Sequence, residues 1–262
     1  MFSFDLISDL HIETWSNFDW SYRATSPVCV IAGDVARDHS VLKNTLNHLS
    51  SQYQAVMFLD GNDEHRWHLN DLDLSYSKIK RLTNSIKKVT YLQNNCIIAN
   101  EVAILGTNGW WGFDFLTPES DPDSIDWFCK KYNVEFEKAI DIARRAKHDT
   151  MYLYNSIQRL QAMKDVKKIV LVTHTVPLYE LVAHDIDLEQ NLHRLNTIGN
   201  GSMQIVQSAD EKNKISTWCF GHYHKPVDTT VNGIRYVSNC RGRGDTAYCQ
   251  SVYHPLKIQV PL

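Results

Sequence analysis

Residues 2–11 read FSFDLISDLH, and the way this stretch ends decides the fold. Residues 2–7, rich in Phe, Leu and Ile, make a short buried strand that stops at the turn residues Ser8 and Asp9. Two groups able to hold a cation, Asp9 and His11, follow at once. The arrangement recurs downstream. PVCVIA at 27–32 ends in Gly33-Asp34, and QAVMFL at 54–59 ends in Asp60-Gly61-Asn62. KIVLV at 168–172 ends in Thr173-His174, and a later strand ends in Gly221-His222-Tyr223-His224. Open α/β sheets place their ligand sites beyond the C-terminal ends of strands, so these residues are expected to share one rim.

Between the strands, 39–51 and 67–88 have helical spacing, and short strands are expected near 89–93, 96–99 and 101–105. The segment 106–123 is a Gly/Pro/Asp-rich loop with two tryptophans. Residues 124–164 contain neither Gly nor Pro and predict one or two long helices. The stretch 214–260 reads as mostly strands, with turns at Gly221, Asn232-Gly233 and Gly242. With no repeat and no low-complexity linker, the expectation is a single α/β domain over 1–262. A helical lobe, 106–165, is inserted within it and lies over its face.

Composition narrows the function classes. At 262 residues the chain can bury a core without disulfide staples. Its 43% hydrophobic and 22% charged residues exclude disorder, collagen-like repeats and a coiled-coil rod. A net charge of −3 gives no global pull toward nucleic acid or anionic lipid, so nucleic acid is open but not favoured as a partner. The six cysteines, at 29, 96, 129, 219, 240 and 249, form no C-x-x-C pair, which argues against zinc-ribbon and thioredoxin-type chemistry. The first residues lack a basic region followed by an apolar one, and no apolar run approaches ~18 residues. The expectation is a cytoplasmic protein without a membrane partner.

The rim inventory carries the chemistry. It holds two Asp, one Asn and four of the twelve His. Oxygen and nitrogen without sulfur suits Mn, Fe, Zn, Ni or Co better than Ca or Mg, which prefer all-oxygen shells. Seven groups are too many for one tetrahedral site. Two divalent ions sharing a carboxylate would use them, and a pair about 3.5–4 Å apart can hold a hydroxide and clamp a phosphoryl group. An isolated Asp-x-His or His-x-His means little. Their joint occurrence, each after a strand, is hard to obtain by accident.

These motifs resemble the calcineurin-like metallophosphoesterase superfamily, in its small prokaryotic and phage form. The signature reads here as Asp9-Leu10-His11, Gly33-Asp34, Gly61-Asn62-Asp63-Glu64, His174 and Gly221-His222-Tyr223-His224, spread over nearly the whole chain. The resemblance implies a four-layer α/β/β/α sandwich and two divalent ions, manganese first among the candidates. It assigns Asp9, His11, Asp34 and His224 to one ion. Asp34, Asn62, His174 and His222 go to the other, with Asp34 bridging. It also implies hydrolysis of a small phosphoester such as a nucleotide, by in-line attack of a metal-bridging hydroxide.

One position departs. The superfamily usually has a catalytic His after the Asn of the third motif, and here that position is Asp63. Beside cations an Asp stays ionised, so it is a poor general acid, and it repels a dianionic monoester more than a monoanionic diester. The expectation is therefore a phosphodiesterase. The alternative is a phosphomonoesterase or protein phosphatase in which His65 substitutes. In a helix His65 would point roughly 200° away from Asp63, whereas an irregular turn could bring it in. A remoter alternative is a non-catalytic scaffold that keeps the metal site.

Substrate contacts are expected from Arg241 and Arg243 in the glycine-rich loop after the last motif. Their guanidinium groups suit phosphate. Trp110 or Trp111 could stack a base, and Arg37 and His39 follow Gly33-Asp34 closely enough to touch a phosphate. The sequence leaves the oligomeric state open.

Overall fold

In the computed structural model, which describes residues 2–15, 19–185, 187, 190–244 and 252–262, the strands assemble into two sheets. The first has the order β11-β1-β2-β3-β4, built from Leu256–Val260, Phe2–Ile7, Val28–Ala32, Ala55–Leu59 and Val89–Tyr91. β1 to β4 run parallel, and β11 is antiparallel at the edge. The second has the order β5-β6-β7-β8-β10-β9, from Asn95–Ala99, Val102–Gly106, Lys168–Val172, Ile215–Phe220, Ile234–Ser238 and Val227–Val231. Its central strands β6, β7, β8 and β10 are parallel. β9 and β10 join through Asn232-Gly233, both at positive φ, as a two-residue hairpin turn with right-handed strand twist requires.

The sheets face each other across an apolar layer. Phe4, Leu6, Val30 and Leu59 from one meet Ile104, Val170, Val172 and Val237 from the other. Alternate residues point outward, because side chains change face at every step along a strand. Ile31, Val56 and Phe58 therefore pack under Leu42, Leu46 and Leu49 of α1 (His39–Gln52) and Ile79 of α2 (Leu72–Asn84). On the far side Leu105, Leu171 and Trp218 pack under Leu153 and Ile157 of α4 (Phe136–Ala162) and under Met203 and Val206. These are the four α/β/β/α layers. Asp38, Asp71 and Asp121 cap the first turns of α1, α2 and α3 (Pro122–Tyr132) by accepting backbone N–H bonds.

The helical expectation at 124–164 resolves into α3 and α4, divided by Asn133 in the left-handed region. α4 serves two cores. Its first half puts Ala139, Ile142, Ala143 and Ala146 against Trp110, Trp111, Phe113 and Phe128. Its second half lies on the sheet. α3 and the first half of α4 thus form a helical cluster with its own core, called the lobe below, and the second half of α4 belongs to the layer on the second sheet. Cys29, Cys96, Cys129, Cys219 and Cys240 are free thiols, while Cys249 lies outside the described residues. Among the described residues no helix is long and apolar enough to cross a membrane.

Candidate metal centre and adjoining pocket

All seven ligand candidates stand on the loops that leave β1, β2, β3, β7 and β8. Five of them, Asp9, His11, Asp34, His222 and His224, have positive φ. That conformation is costly for residues with a Cβ, and it concentrates where function over-determines the backbone. The glycines of the motifs allow the loops to close in. A Cβ on Gly61 would lie 2.2 Å from Asp34 Oδ1, and one on Gly33 would lie 2.3 Å from His174 Nδ1.

Two groups of side chains result, each with potential ligand atoms within 4.8 Å of one another: Asp9, His11, Asp34 and His224, and Asp34, His174 and His222. In the first, His11 Nε2 and His224 Nε2 are 2.9 Å apart, and His224 Nε2 is 3.3 Å from Asp9 Oδ1. Asp34 divides its oxygens between the groups. Oδ2 is 3.8 Å from His11 Nε2, and Oδ1 is 3.4 Å from His174 Nε2. Asn62 Oδ1 joins the second group, 3.1 Å from His174 Nε2. Outer contacts orient the rings: His174 Nδ1 is 2.9 Å from the Ala32 carbonyl, and His222 Nε2 is 3.0 Å from that of Thr197. Metal-binding histidines are held in this way, with one ring nitrogen donated to a carbonyl and the other turned inward.

The electrostatics fit a cation. Burial alone would raise the pKa of Asp9, but the hydrogen bond and charge of His224 outweigh it and bring it to about 2. Asp34 is likewise held well below the usual carboxylate range, against its burial, by His174 and His11. Burial would lower His174, yet Asp34 pushes it up to about 10. His222 is lowered to about 4, by burial and then by the charge of His174. Two buried carboxylates thus demand positive charge at one place, and the oxygen and nitrogen donors there fit divalent transition ions.

Glu64 ties the rim together. Its carboxylate accepts four backbone N–H bonds, from Gly61, Asp34, Val35 and Ala36, at 2.7–3.0 Å. Burial, with the charge of Asp34, pushes its pKa up to about 8. The sequence shows Glu64 only as a motif letter, and the fold shows it joining the second and third loops.

Asp63 and His65 part company. They lie in a 3₁₀ segment, Asp63–His68, where three residues make a turn, so positions two apart point to different sides. His65 is fully buried, with Nε2 2.7 Å from Asp60 Oδ2 and Nδ1 2.8 Å from Ser75 Oγ. Both nitrogens are engaged away from the rim, which corrects the catalytic expectation for His65. Asp63 faces the rim. Its Oδ2 accepts from Arg37 Nε at 2.9 Å and Arg243 Nη2 at 2.6 Å, and lies 3.2 Å from His11 Nδ1. Burial and Asp34 would raise its pKa, but His11 and Arg243 outweigh them and hold it below the usual range.

No protein family's sequence profile matches the chain, and no curated protein matches it. Solved structures do. The phosphopantetheinyl hydrolase PptH from Mycobacterium tuberculosis superposes with a TM-score of 0.71 at 17% identity, over 92% of this chain and 89% of that one. A putative 5′-nucleotidase from Staphylococcus aureus superposes with a TM-score of 0.49 at 11% identity, over 90% of this chain and 48% of that one. The likeness to PptH shows a shared fold, an α/β/β/α sandwich of two mixed sheets flanked by helices.

A pocket of about 450 Å³ opens beside the candidate ligands of this sandwich, within the size range of small-molecule sites. Arg37 and Arg243 line it. Three expected substrate residues do not. Trp110 is wholly buried in the lobe core and donates its ring N–H to the Tyr76 hydroxyl, so it offers no face to a base. Trp111 lines the pocket instead, stacked on His222 with ring centroids 5.5 Å apart. Arg241 lies over the Trp15 ring at 3.8 Å and is 7% exposed. His39 pairs Nε2 with the Glu64 carbonyl at 3.0 Å. The sequence gives no sign of Arg66, Trp127, Phe128, Lys131, Tyr132 or Arg194, which complete the wall.

Proposed function

We propose that this protein is a metal-dependent phosphoester hydrolase acting on a small phosphodiester. The observation that carries the reading is Asp34, whose two oxygens face two separate groups of candidate ligands. Asp9, His11, Asp34 and His224 would hold one divalent ion, and Asp34, Asn62, His174 and His222 a second. Manganese is the first candidate, with iron, zinc, nickel and cobalt sharing the donor preference. Bound there, such ions supply Lewis acidity to a phosphoryl oxygen and an acidified water as nucleophile. The similar solved structure is named as a hydrolase, which agrees with this reading.

The remaining work falls to the chain. Arg37 and Arg243 are positioned by the Asp63 carboxylate and present guanidinium groups to the pocket. They would hold non-bridging phosphate oxygens as the reaction proceeds. Water replaces the leaving alcohol directly at phosphorus, since no Ser or Cys nucleophile lines the pocket among the described residues. Asp63 is anionic and acceptor-only, so it donates no proton to a leaving alkoxide. The missing general acid favours a diester with a good leaving group. The monoesterase reading through His65 loses its basis, because that ring faces Asp60 and Ser75. A scaffold without catalysis would be expected to lose ligands, yet all seven candidates stand together at the rim.

The test compares manganese-loaded wild type and Asp63→His on bis(4-nitrophenyl) phosphate and on 4-nitrophenyl phosphate. Wild type is expected to prefer the diester, and Asp63→His to shift the ratio of kcat/KM toward the monoester by about tenfold or more. Equal or better monoester hydrolysis by wild type overturns the diester reading.

A further inference from the structure

The pocket has two cationic poles, and the proposed hydrolysis uses only one. Arg37 and Arg243 form the rim pole, on Asp63. The second pole is on the lobe side of the same pocket. The Arg66 guanidinium carbon lies 4.1 Å from the Tyr132 ring centroid, and Lys131 Nζ lies 4.3 Å from that of Trp127. Arg194 lines the pocket with them.

Three observations bear on what this pole does. No carboxylate among the described residues pairs with Arg66, Lys131 or Arg194, although the chain as a whole is acidic by three charges. Grouped like charges repel unless an anion joins them. Second, the neighbouring rings already have partners. One face of Trp127 carries Lys131, and His193 stacks on it with centroids 5.8 Å apart. The rings therefore aim cations by cation–π contact rather than receive a flat ligand. Third, the pocket that holds both poles also has an apolar part to its lining, from Leu69, Trp111, Phe128 and Ile198.

We infer that the substrate carries a second anionic group, most simply a second phosphate. Arg66, Lys131 and Arg194 would hold it, across an uncharged spacer from the phosphorus that is attacked. The choice of scissile group rests on the hydrolase reading; the second anion does not.

The experiment has two arms. The kinetic arm uses 4-nitrophenyl phosphodiesters of alkanols two to eight carbons long, with and without a terminal phosphate, on manganese-loaded wild type and on the Arg66→Ala/Lys131→Ala variant. At the best length, the terminal phosphate should raise wild-type kcat/KM at least about tenfold, the scale of one charge-assisted hydrogen bond. The double variant should lose that gain. The binding arm uses calorimetry on chelator-treated protein, with alkane bisphosphonates against monophosphonates of equal length. These P–C compounds are not hydrolysed, so this arm is independent of catalysis. A bisphosphonate preference that disappears in the double variant supports the second pole, even if no diester is cleaved and the hydrolase reading falls. Equal affinity at every length, or a preference retained in the variant, overturns it.

Discussion

The rim and the lobe wall meet in one pocket but are built in different ways. The rim is made of short loops that each leave a parallel strand, so its chemistry lies within a few residues of a strand end. The wall is made of helix faces: Trp127 and Lys131, and Phe128 and Tyr132, are i, i+4 pairs on α3, while Arg66 and Arg194 come from distant segments. The rim holds its groups by backbone conformation, with five of its candidate ligands at positive φ and glycines where loops touch. The wall holds its groups by ring contacts between side chains. A rim built this way tolerates almost no change of volume, whereas a wall of partly exposed side chains tolerates much more.

Substitutions can break or sharpen that contrast. The largest effect is expected at Gly61. In Gly61→Ala the new Cβ meets Asp34 Oδ1 at 2.2 Å, Asp34 N at 2.6 Å and His174 Cε1 at 2.7 Å. Displacing the shared carboxylate by about 1 Å should lower metal-dependent diester hydrolysis on the order of a hundredfold. Steady-state kinetics at saturating manganese would check it, and activity within threefold of wild type would show that the rim is less rigid than its backbone implies.

A smaller effect, on stability, is expected where the two regions join. His65 links Asp60, at the end of β3, to Ser75 of α2, and its ring lies 5.4 Å from that of Trp110 in the lobe core. Asp60 keeps bonds from Tyr91 and Asn108, but losing His65 removes the partner that most lowers its pKa against burial. His65→Ala should therefore cost about 3 kcal/mol, as removing a packed ring and leaving a buried carboxylate short of a hydrogen bond does. Thermal unfolding should move down by roughly 6–12 °C at this chain length. The fraction that remains folded should still hydrolyse the diester. Unchanged stability with lost turnover would return His65 to the chemistry.

What was legible in the sequence follows the same division. Asp9, His11, Asp34, Asn62, His174, His222 and His224 are legible because each is fixed by a local pattern of strand, turn and ligand. The alternation of short apolar runs with helical spacing makes an α/β domain legible, whereas the four layers follow only from the resemblance that the motifs carry. Position 65 needed a tertiary fact. The 3₁₀ geometry turns it away from Asp63, and only Asp60 and Ser75, brought close by folding, decide where it goes. The tryptophan pair is similar: Trp110 and Trp111 are neighbours in sequence, yet one is buried with its ring N–H on the Tyr76 hydroxyl and the other stacks on His222. Arg241 and Arg243 divide in the same way, one over Trp15 and the other on Asp63. The wall was illegible because aromatic and basic residues on a helix face are common and nothing local marks these.

The central claim is that Asp34 serves two ions at once. It is tested most directly by counting manganese per chain and recording its electron paramagnetic resonance in wild type and Asp34→Ala, with diester turnover measured on the same samples. The account predicts two ions per chain with an exchange-coupled signal in wild type. In the variant it predicts no coupled pair and a loss of turnover on the order of a thousandfold. A single ion in wild type, or a coupled pair retained in Asp34→Ala, would contradict it.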